Sequence, residues 1–276
     1  MVYKAQDKHY LCHYKNVAMK KTALITGASS GIGLELAREH AKNGGDLVIV
    51  ARSEDKLKQL QLELQKAYNS TVLVIAMDLA LPNAAIEVYN KVKSAGITVD
   101  YLINNAGFGD FGMFVESDWN KEARMIQVNI TCLTQFTKLF LKDMVQRKSG
   151  RIMNVASTAA FQSGPTMSVY YATKAYVLSF SEAIANEVKP YGVSVTTLCP
   201  GATASGFQDA AVLNESKLVK GKKLPTSAAV ANYGYRAMLA GKTIAIHGWM
   251  NAIMANAVRF MPRALVVKVT RFMQDK

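Results

Sequence analysis

Short runs of Val, Ile and Leu, apolar at successive positions and bounded by Gly, Asn or Asp, recur along this chain and restrict its fold most. They are Thr22–Thr26, Asp46–Ala51, Thr71–Ala76, Val99–Asn104, Arg151–Ala156 and Val193–Leu198, with Thr243–Ile246 as a seventh. Runs this short that are apolar on both faces read as strands covered above and below. Between them lie long polar-apolar segments of helical character, such as Ser53–Tyr68 and Trp119–Arg147. Strands separated by helices build right-handed βαβ units, hence a parallel sheet with helices on both faces. The expectation is an α/β, doubly wound single domain with about seven strands, its ligand crevice at the carboxyl ends of the strands.

The 276 residues suffice for one large core, and neither repeats nor long linkers divide them. Half the residues are apolar, which excludes a disordered or collagen-like chain. The division expected is an extension over 1–18, a catalytic body over 19–246, and a basic amphipathic helical extension over 247–276. Cys12, Cys132 and Cys199 are an odd set without CxxC spacing, which points to a reduced, cytoplasmic setting rather than a disulfide framework. The first ten residues lack the apolar stretch of a secretory signal. Thr243–Val258, free of Asp, Glu, Lys and Arg, is too short and too polar to span a bilayer.

The net charge of +13 is unevenly placed. Residues 1–21 carry +4 and residues 217–276 carry +10, while 22–216 carry −1. A neutral body with basic ends suits an anionic membrane surface or an acidic partner better than nucleic acid, for which no binding motif is present. Lysines kept for solubility account for the same charge.

The first strand runs into Thr26-Gly27-Ala28-Ser29-Ser30-Gly31-Ile32-Gly33 and then a helical pattern. Glycines there let the backbone turn sharply and approach a ligand, and the helix start offers N–H groups to a pyrophosphate. The Gly-x-x-x-Gly-x-Gly spacing departs from the usual Gly-x-Gly-x-x-Gly, and a tight strand-helix turn alone would also use it. At the end of the second strand, where an acid would hold a ribose hydroxyl, stand Ala51 and Arg52. A guanidinium there suits a 2′-phosphate, so NADP(H) is the cofactor expected. Asp78, before Leu79, could accept from an adenine amino group or cap the next helix. Tyr170 and Lys174 lie at i and i+4, on one helix face. An ammonium beside a phenol lowers the phenol pKa from its usual value of about 10 and equips it as a general acid. Ser157, just past the fifth strand, could hold a carbonyl oxygen beside it. No metal site is expected: His9, Cys12 and His13 lack an evident fourth ligand.

Thr26–Gly33, Asn104-Asn105-Ala106-Gly107, Asn129, Ser157, Tyr170-x-x-x-Lys174 and Pro200-Gly201 stand in an order and spacing that resembles the short-chain dehydrogenase/reductase family from about Lys20 to Ala240. The resemblance implies a Rossmann-type nucleotide-binding fold. It implies that Gly27, Ser29, Ser30, Gly31, Ile32 and Gly33 wrap the cofactor, that Arg52 selects the 2′-phosphate, and that Asp78 and Leu79 border the adenine. Asn105, Ala106 and Gly107 would line the adenosine side, and Pro200, Gly201 and Thr203 would face the nicotinamide. Tyr170 is implied as proton donor, Lys174 as its pKa partner and ribose ligand, Ser157 as the substrate-oxygen holder and Asn129 as the holder of a relay water. Ser205 stands where the family often has Thr.

Phe108, Phe111, Phe114, Phe161 and Phe207 near the crevice suggest a small-molecule apolar carbonyl substrate, although such residues also pack cores. Residues 203–226 read as a substrate lid. Beyond Ile246, Trp249–Phe260 and Arg263–Gln274 read as helices separated at Pro262. Leu265, Val266, Val269, Phe272 and Met273 lie there among Arg263, Lys268 and Arg271. Such a basic amphipathic tail could lie on an anionic membrane, pack on another subunit or fold back over the site, and it resembles tails of a bacterial branch of the family. The leading expectation is an NADPH-dependent carbonyl reductase, a homodimer or homotetramer, cytoplasmic or peripheral to a membrane. A 3-oxoacyl-thioester reductase serving an acidic acyl carrier, and an NADP-sensing protein without turnover, are the alternatives.

Overall fold

The structure, a computed structural model, describes residues 20–206 and 223–274. The extension over 1–18, with His9, Cys12 and His13, lies outside the described residues, as do Phe207 and most of the expected lid. Strands β1 (Thr22–Thr26), β2 (Asp46–Ala51), β3 (Val72–Ala76), β4 (Tyr101–Asn104), β5 (Gly150–Val155), β6 (Val193–Cys199) and β7 (Ile244–Ile246) fall within a residue or two of the runs read from sequence. They form one parallel sheet ordered β3-β2-β1-β4-β5-β6-β7. The order reverses between β1 and β4, which opens a crevice above their carboxyl ends.

Alternation within the strands supplies both cores. Ala23 and Ile25 face one side, with Leu36 of α1 (Gly31–Lys42), Leu57 and Leu64 of α2 (Glu54–Tyr68) and Val230 and Met238 of a helix over Ser227–Leu239. Leu24, Val48 and Val50 face the other, with Val88 of α3 (Ala84–Ser94) and Phe136, Phe140 and Met144 of a helix over Leu133–Gln146. The α2 pattern is plain in sequence: Glu54 and Asp55 favour the positive helix start, Leu57, Leu60 and Leu64 form the buried stripe, and Asn69 at φ 52° ends it.

The stretch of helical character over Trp119–Arg147 is built from three pieces. Helix α4 (Trp119–Ile126) is capped by Asp118, whose side chain accepts from Asn120 N–H; a π-helical turn follows over Gln127–Cys132, then α5 (Leu133–Gln146). Helix α6 (Ser168–Val188) crosses beneath the site, and α7 (Ser227–Leu239) lies against α1. Helices α8 (Trp249–Ala257) and α9 (Arg263–Gln274) close the described chain. No helix among the described residues is long and apolar enough to cross a membrane.

Candidate active site

At the end of β1, Gly27 and Gly31 adopt left-handed φ values of 69° and 57°, which a side chain rarely takes. Gly33 is needed for closeness: a Cβ there would lie 2.3 Å from Gly27 O and 2.4 Å from Asn105 Nδ2. The start of α1 carries no side-chain cap from Ser30 and no acid in its first turn. Ser29, Ser30 and Ile32 complete this partly exposed turn. Thr26, whose role was not legible in sequence, ties the turn to the segment after β4. Its hydroxyl accepts from Asn105 N–H and Ala106 N–H, both at 3.0 Å, while Asn105 Nδ2 donates to Thr26 O at 3.0 Å.

Beyond β2, Arg52 is exposed and Ala51 is buried. Beside them Asp78 does not cap α3: it accepts from Ala80 N–H at 3.0 Å in a local turn, and α3 begins six residues later, after Asn83. Its other oxygen accepts from Arg124 of α4 at 2.8 Å. Burial works against the Asp78 carboxylate, but the Ala80 N–H, Arg124 and Arg52 outweigh it and hold the group below the usual carboxylate range. Leu79 is buried in the core below. Beside the β2 and β3 ends thus stand the guanidinium of Arg52, the carboxylate of Asp78 and, from α4, the guanidinium of Arg124, a set suited to a phosphorylated adenosine. The free helix start, the left-handed glycines and this set fit a dinucleotide cofactor.

Tyr170 and Lys174 share the inner face of α6, and both are buried. Lys174 Nζ donates to Val155 O at 2.9 Å and sits 5.8 Å from the Tyr170 ring centroid. Burial raises the Tyr170 pKa above the ordinary phenol value; a hydrogen bond with Ser157 pulls it back only in part. The expected lowering by Lys174 is therefore reversed here, because an enclosed phenolate loses more solvation than its neighbours return. Burial also pulls Lys174 down to about 8. Ser157 plays two parts: its oxygen accepts from Ala159 N–H at 3.1 Å, capping a short 3-10 turn, and it lies within reach of Tyr170.

Asn129 sits in the π-helical turn, buried, with its amide committed: Nδ2 donates to Phe108 O and to Thr173 Oγ1, both at 3.0 Å, and Oδ1 accepts from Phe108 N–H at 3.2 Å. Gly107 lets this clamp close, since a Cβ there would stand 2.9 Å from Asn129 Oδ1. Pro200 O accepts from Thr158 N–H at 2.9 Å, and Thr203 Oγ1 donates to Gly201 O at 2.9 Å. Gly201 lies against Asn251 of α8, which no local pattern could announce.

Phe108 and Phe111 pack against Met125, Met167, Tyr170 and Tyr171 in one apolar cluster. Phe114 does not join them: it is 60 % exposed. Phe161 lines a neighbouring cavity of about 430 Å³ with Gly164, Tyr171 and Arg263. Tyr171 is buried as well, and its hydroxyl pairs with Gln274 at the end of α9. Among the described residues no group of three or more His, Cys, Asp or Glu is placed to hold a metal.

A parallel sheet with this switch point, a glycine turn, and Ser157 beside the buried Tyr170 and Lys174 defines a nucleotide-dependent oxidoreductase acting between alcohol and carbonyl. The chain belongs to the short-chain dehydrogenase family, whose sequence model matches residues 21–216. It is 30 % identical over 246 residues to a very-long-chain 3-oxoacyl-CoA reductase of Rattus norvegicus, covering 86 % of this chain and 77 % of that one. The human protein of the same name is 33 % identical over 184 residues, which span 64 % of this chain and 58 % of its own length. In structure the chain resembles a short-chain dehydrogenase from Sphingobium yanoikuyae in complex with NADPH, with TM-score 0.80, 30 % identity, and 89 % and 94 % of the two chains covered. The likeness is thus not confined to the bacterial branch that the tail suggests.

Proposed function

We propose that the protein reduces a bulky apolar ketone to an alcohol with NADPH. The observation that carries this reading is Ser157 within reach of the buried Tyr170 and Lys174, beside an apolar wall, with Arg52 at the end of β2. When bound, the cofactor supplies the hydride to the carbonyl carbon. Ser157 Oγ–H holds the carbonyl oxygen, and the Tyr170 hydroxyl gives it a proton as negative charge develops there. The Lys174 ammonium stabilises the phenolate left behind and hydrogen-bonds the ribose. Pro200, Gly201 and Thr203 would face the nicotinamide, and Arg52 would pair with a 2′-phosphate. Asp78 would border the adenine, with the buried Leu79 packed in the core beneath it, and Asn105, Ala106 and Gly107 would line the ribose side. Because the Asn129 amide is spent on Phe108 and Thr173, any relay water is held by the Asn129 backbone, and the side chain acts in positioning.

A narrower substrate, a 3-oxoacyl thioester, is favoured by the two named mammalian relatives. Cys132 and Cys199 are free, buried thiols, which suits a reducing, cytoplasmic-side setting, and a homo-oligomer is the assembly we expect. The test is turnover of purified protein with NADPH or NADH against 3-oxoacyl-CoA thioesters of increasing length, steroid ketones and small aromatic ketones. NADPH-dependent turnover that rises with apolar bulk is expected. A preference for NADH, or turnover of small polar ketones alone, would overturn the reading.

A further inference from the structure

The two C-terminal helices are turned the opposite way from ordinary amphipathic packing. In α9 the buried stripe is Val266, Thr270 and Gln274, spaced by four, and two of the three are polar. Its apolar side chains look outward: Leu265 is 46 % exposed, Val269 42 % and Phe272 67 %. In α8 only Ala255 is buried, while Trp249 is 72 % exposed and Ile253 56 %. Phe260, at the corner joining the two helices, is 89 % exposed. A helix docked on its own domain does not spend its polar residues inward and its aromatic residues outward unless a further apolar phase meets the outer face.

The placing of this surface is also informative. Arg271 Nη1 lies 3.5 Å from Met113 Sδ, which brings the exposed Met113, Phe114 and Val115 beside α9. Asn251 touches Gly201, and Gln274 pairs with Tyr171. The outward apolar side chains therefore border the mouth of the candidate site.

Charge says what covers them. Arg259, Arg263, Lys268 and Arg271 are interleaved with the apolar residues, and no Asp or Glu occurs from 247 to 274. A second copy related by a two-fold axis would bring this cationic surface against itself, with no carboxylate of α8 or α9 to pair with it. A bilayer with anionic headgroups accepts both components at once: Trp and Phe at the headgroup boundary, Arg and Lys at the phosphates. We propose that the face formed by α8, α9 and the Phe260 corner is a peripheral docking surface for an anionic bilayer, which turns the site mouth toward lipid.

Trp119 and Trp249 are the only tryptophans, so Trp119→Phe in the full chain leaves Trp249 as the sole reporter. With vesicles of phosphatidylcholine and phosphatidylserine at low salt, the protein should cosediment and Trp249 emission should shift to the blue. With phosphatidylcholine alone, or in 1 M NaCl, partition should fall at least about tenfold. Phe260→Ser and Lys268→Glu, with melting temperatures unchanged, should each lower partition about fivefold or more. Absence of binding at low salt would overturn the proposal. So would binding with unshifted Trp249 emission, or binding indifferent to both substitutions, which would assign it to another part of the chain. A solution oligomer that dissociates in Phe260→Ser, without vesicle binding, would assign the face to a second copy.

Discussion

Lys174 carries its charge where solvent does not reach, and its pKa of about 8 means that the folded protein pays for that charge at neutral pH. From the ordinary 10.5 down to about 8 the shift amounts to about 3 kcal/mol against the charged form. The penalty is complete below pH 8, where both folded and unfolded chains are protonated, and disappears as pH rises through the unfolded value. Lys174→Met should therefore raise stability at pH 7 by about 2 kcal/mol, after about 1 kcal/mol for the lost hydrogen bond to Val155 O, with the gain gone near pH 11. Denaturant unfolding at both pH values checks this, and activity should collapse in the same variant. Tyr170→Phe should abolish reduction with NADPH affinity nearly intact. Tyr171→Phe should keep turnover within a few-fold and cost about 1 kcal/mol of stability through the lost Gln274 partner. If Tyr171→Phe is the inactive variant, the assignment of the proton donor fails. Arg52→Asp should weaken NADPH binding and improve NADH, since repulsion replaces attraction at the 2′-phosphate. Titration of both cofactors into both proteins measures it.

At the scale of elements, the two ends of α1 separate two uses of glycine. Gly33 is demanded by contact, since a Cβ would meet Gly27 O at 2.3 Å, whereas Gly44, at φ +80°, has nothing within 4 Å and is demanded by conformation alone. Gly33→Ala should cost about 3 kcal/mol and displace Asn105, weakening cofactor binding too; Gly44→Ala should cost about 1 kcal/mol and leave binding alone. Thermal melts with and without NADPH distinguish the two. The π-helical turn between α4 and α5 is another such element. Its apolar spacing reads as unbroken helix, because Val128 and Cys132 still reach the core; the Asn129 bonds to Phe108 and Thr173 that accompany the turn span 21 and 44 residues.

Across the whole molecule, His40 joins parts that are distant in sequence. Buried in α1, it lies 2.9 Å from Tyr235 OH of α7 and 2.9 Å and 3.1 Å from the carbonyls of Lys21 and Asp46, which flank β1 and open β2. Burial lowers its pKa from 6.5, so the folded protein holds it neutral. The stability this contributes is present above the unfolded pKa and is lost as pH falls below it, where the unfolded chain takes up a proton. Denaturant midpoints should therefore fall between pH 7 and pH 5, and His40→Gln, less stable at pH 7, should show a smaller fall.

What the sequence determined by itself was whatever local order encodes. Strand runs, the glycine turn and the i, i+4 Tyr170–Lys174 pair depend on neighbours within a turn or a strand, so the sheet and most candidate residues were legible. Tertiary structure alone decided the rest. The direction of the Tyr170 pKa shift is a sum over everything that encloses the phenol, and it came out opposite to the pair taken in isolation. Asp78 found Arg124 across 46 residues, Thr26 found Asn105 and Ala106, and Gly201 found Asn251. The outward turn of α9 was hidden for the same reason. Periodicity shows that Val266 and Val269 lie on a helix, but which stripe is buried was settled by Gln274 reaching Thr166 and Tyr171, more than 100 residues earlier in the chain.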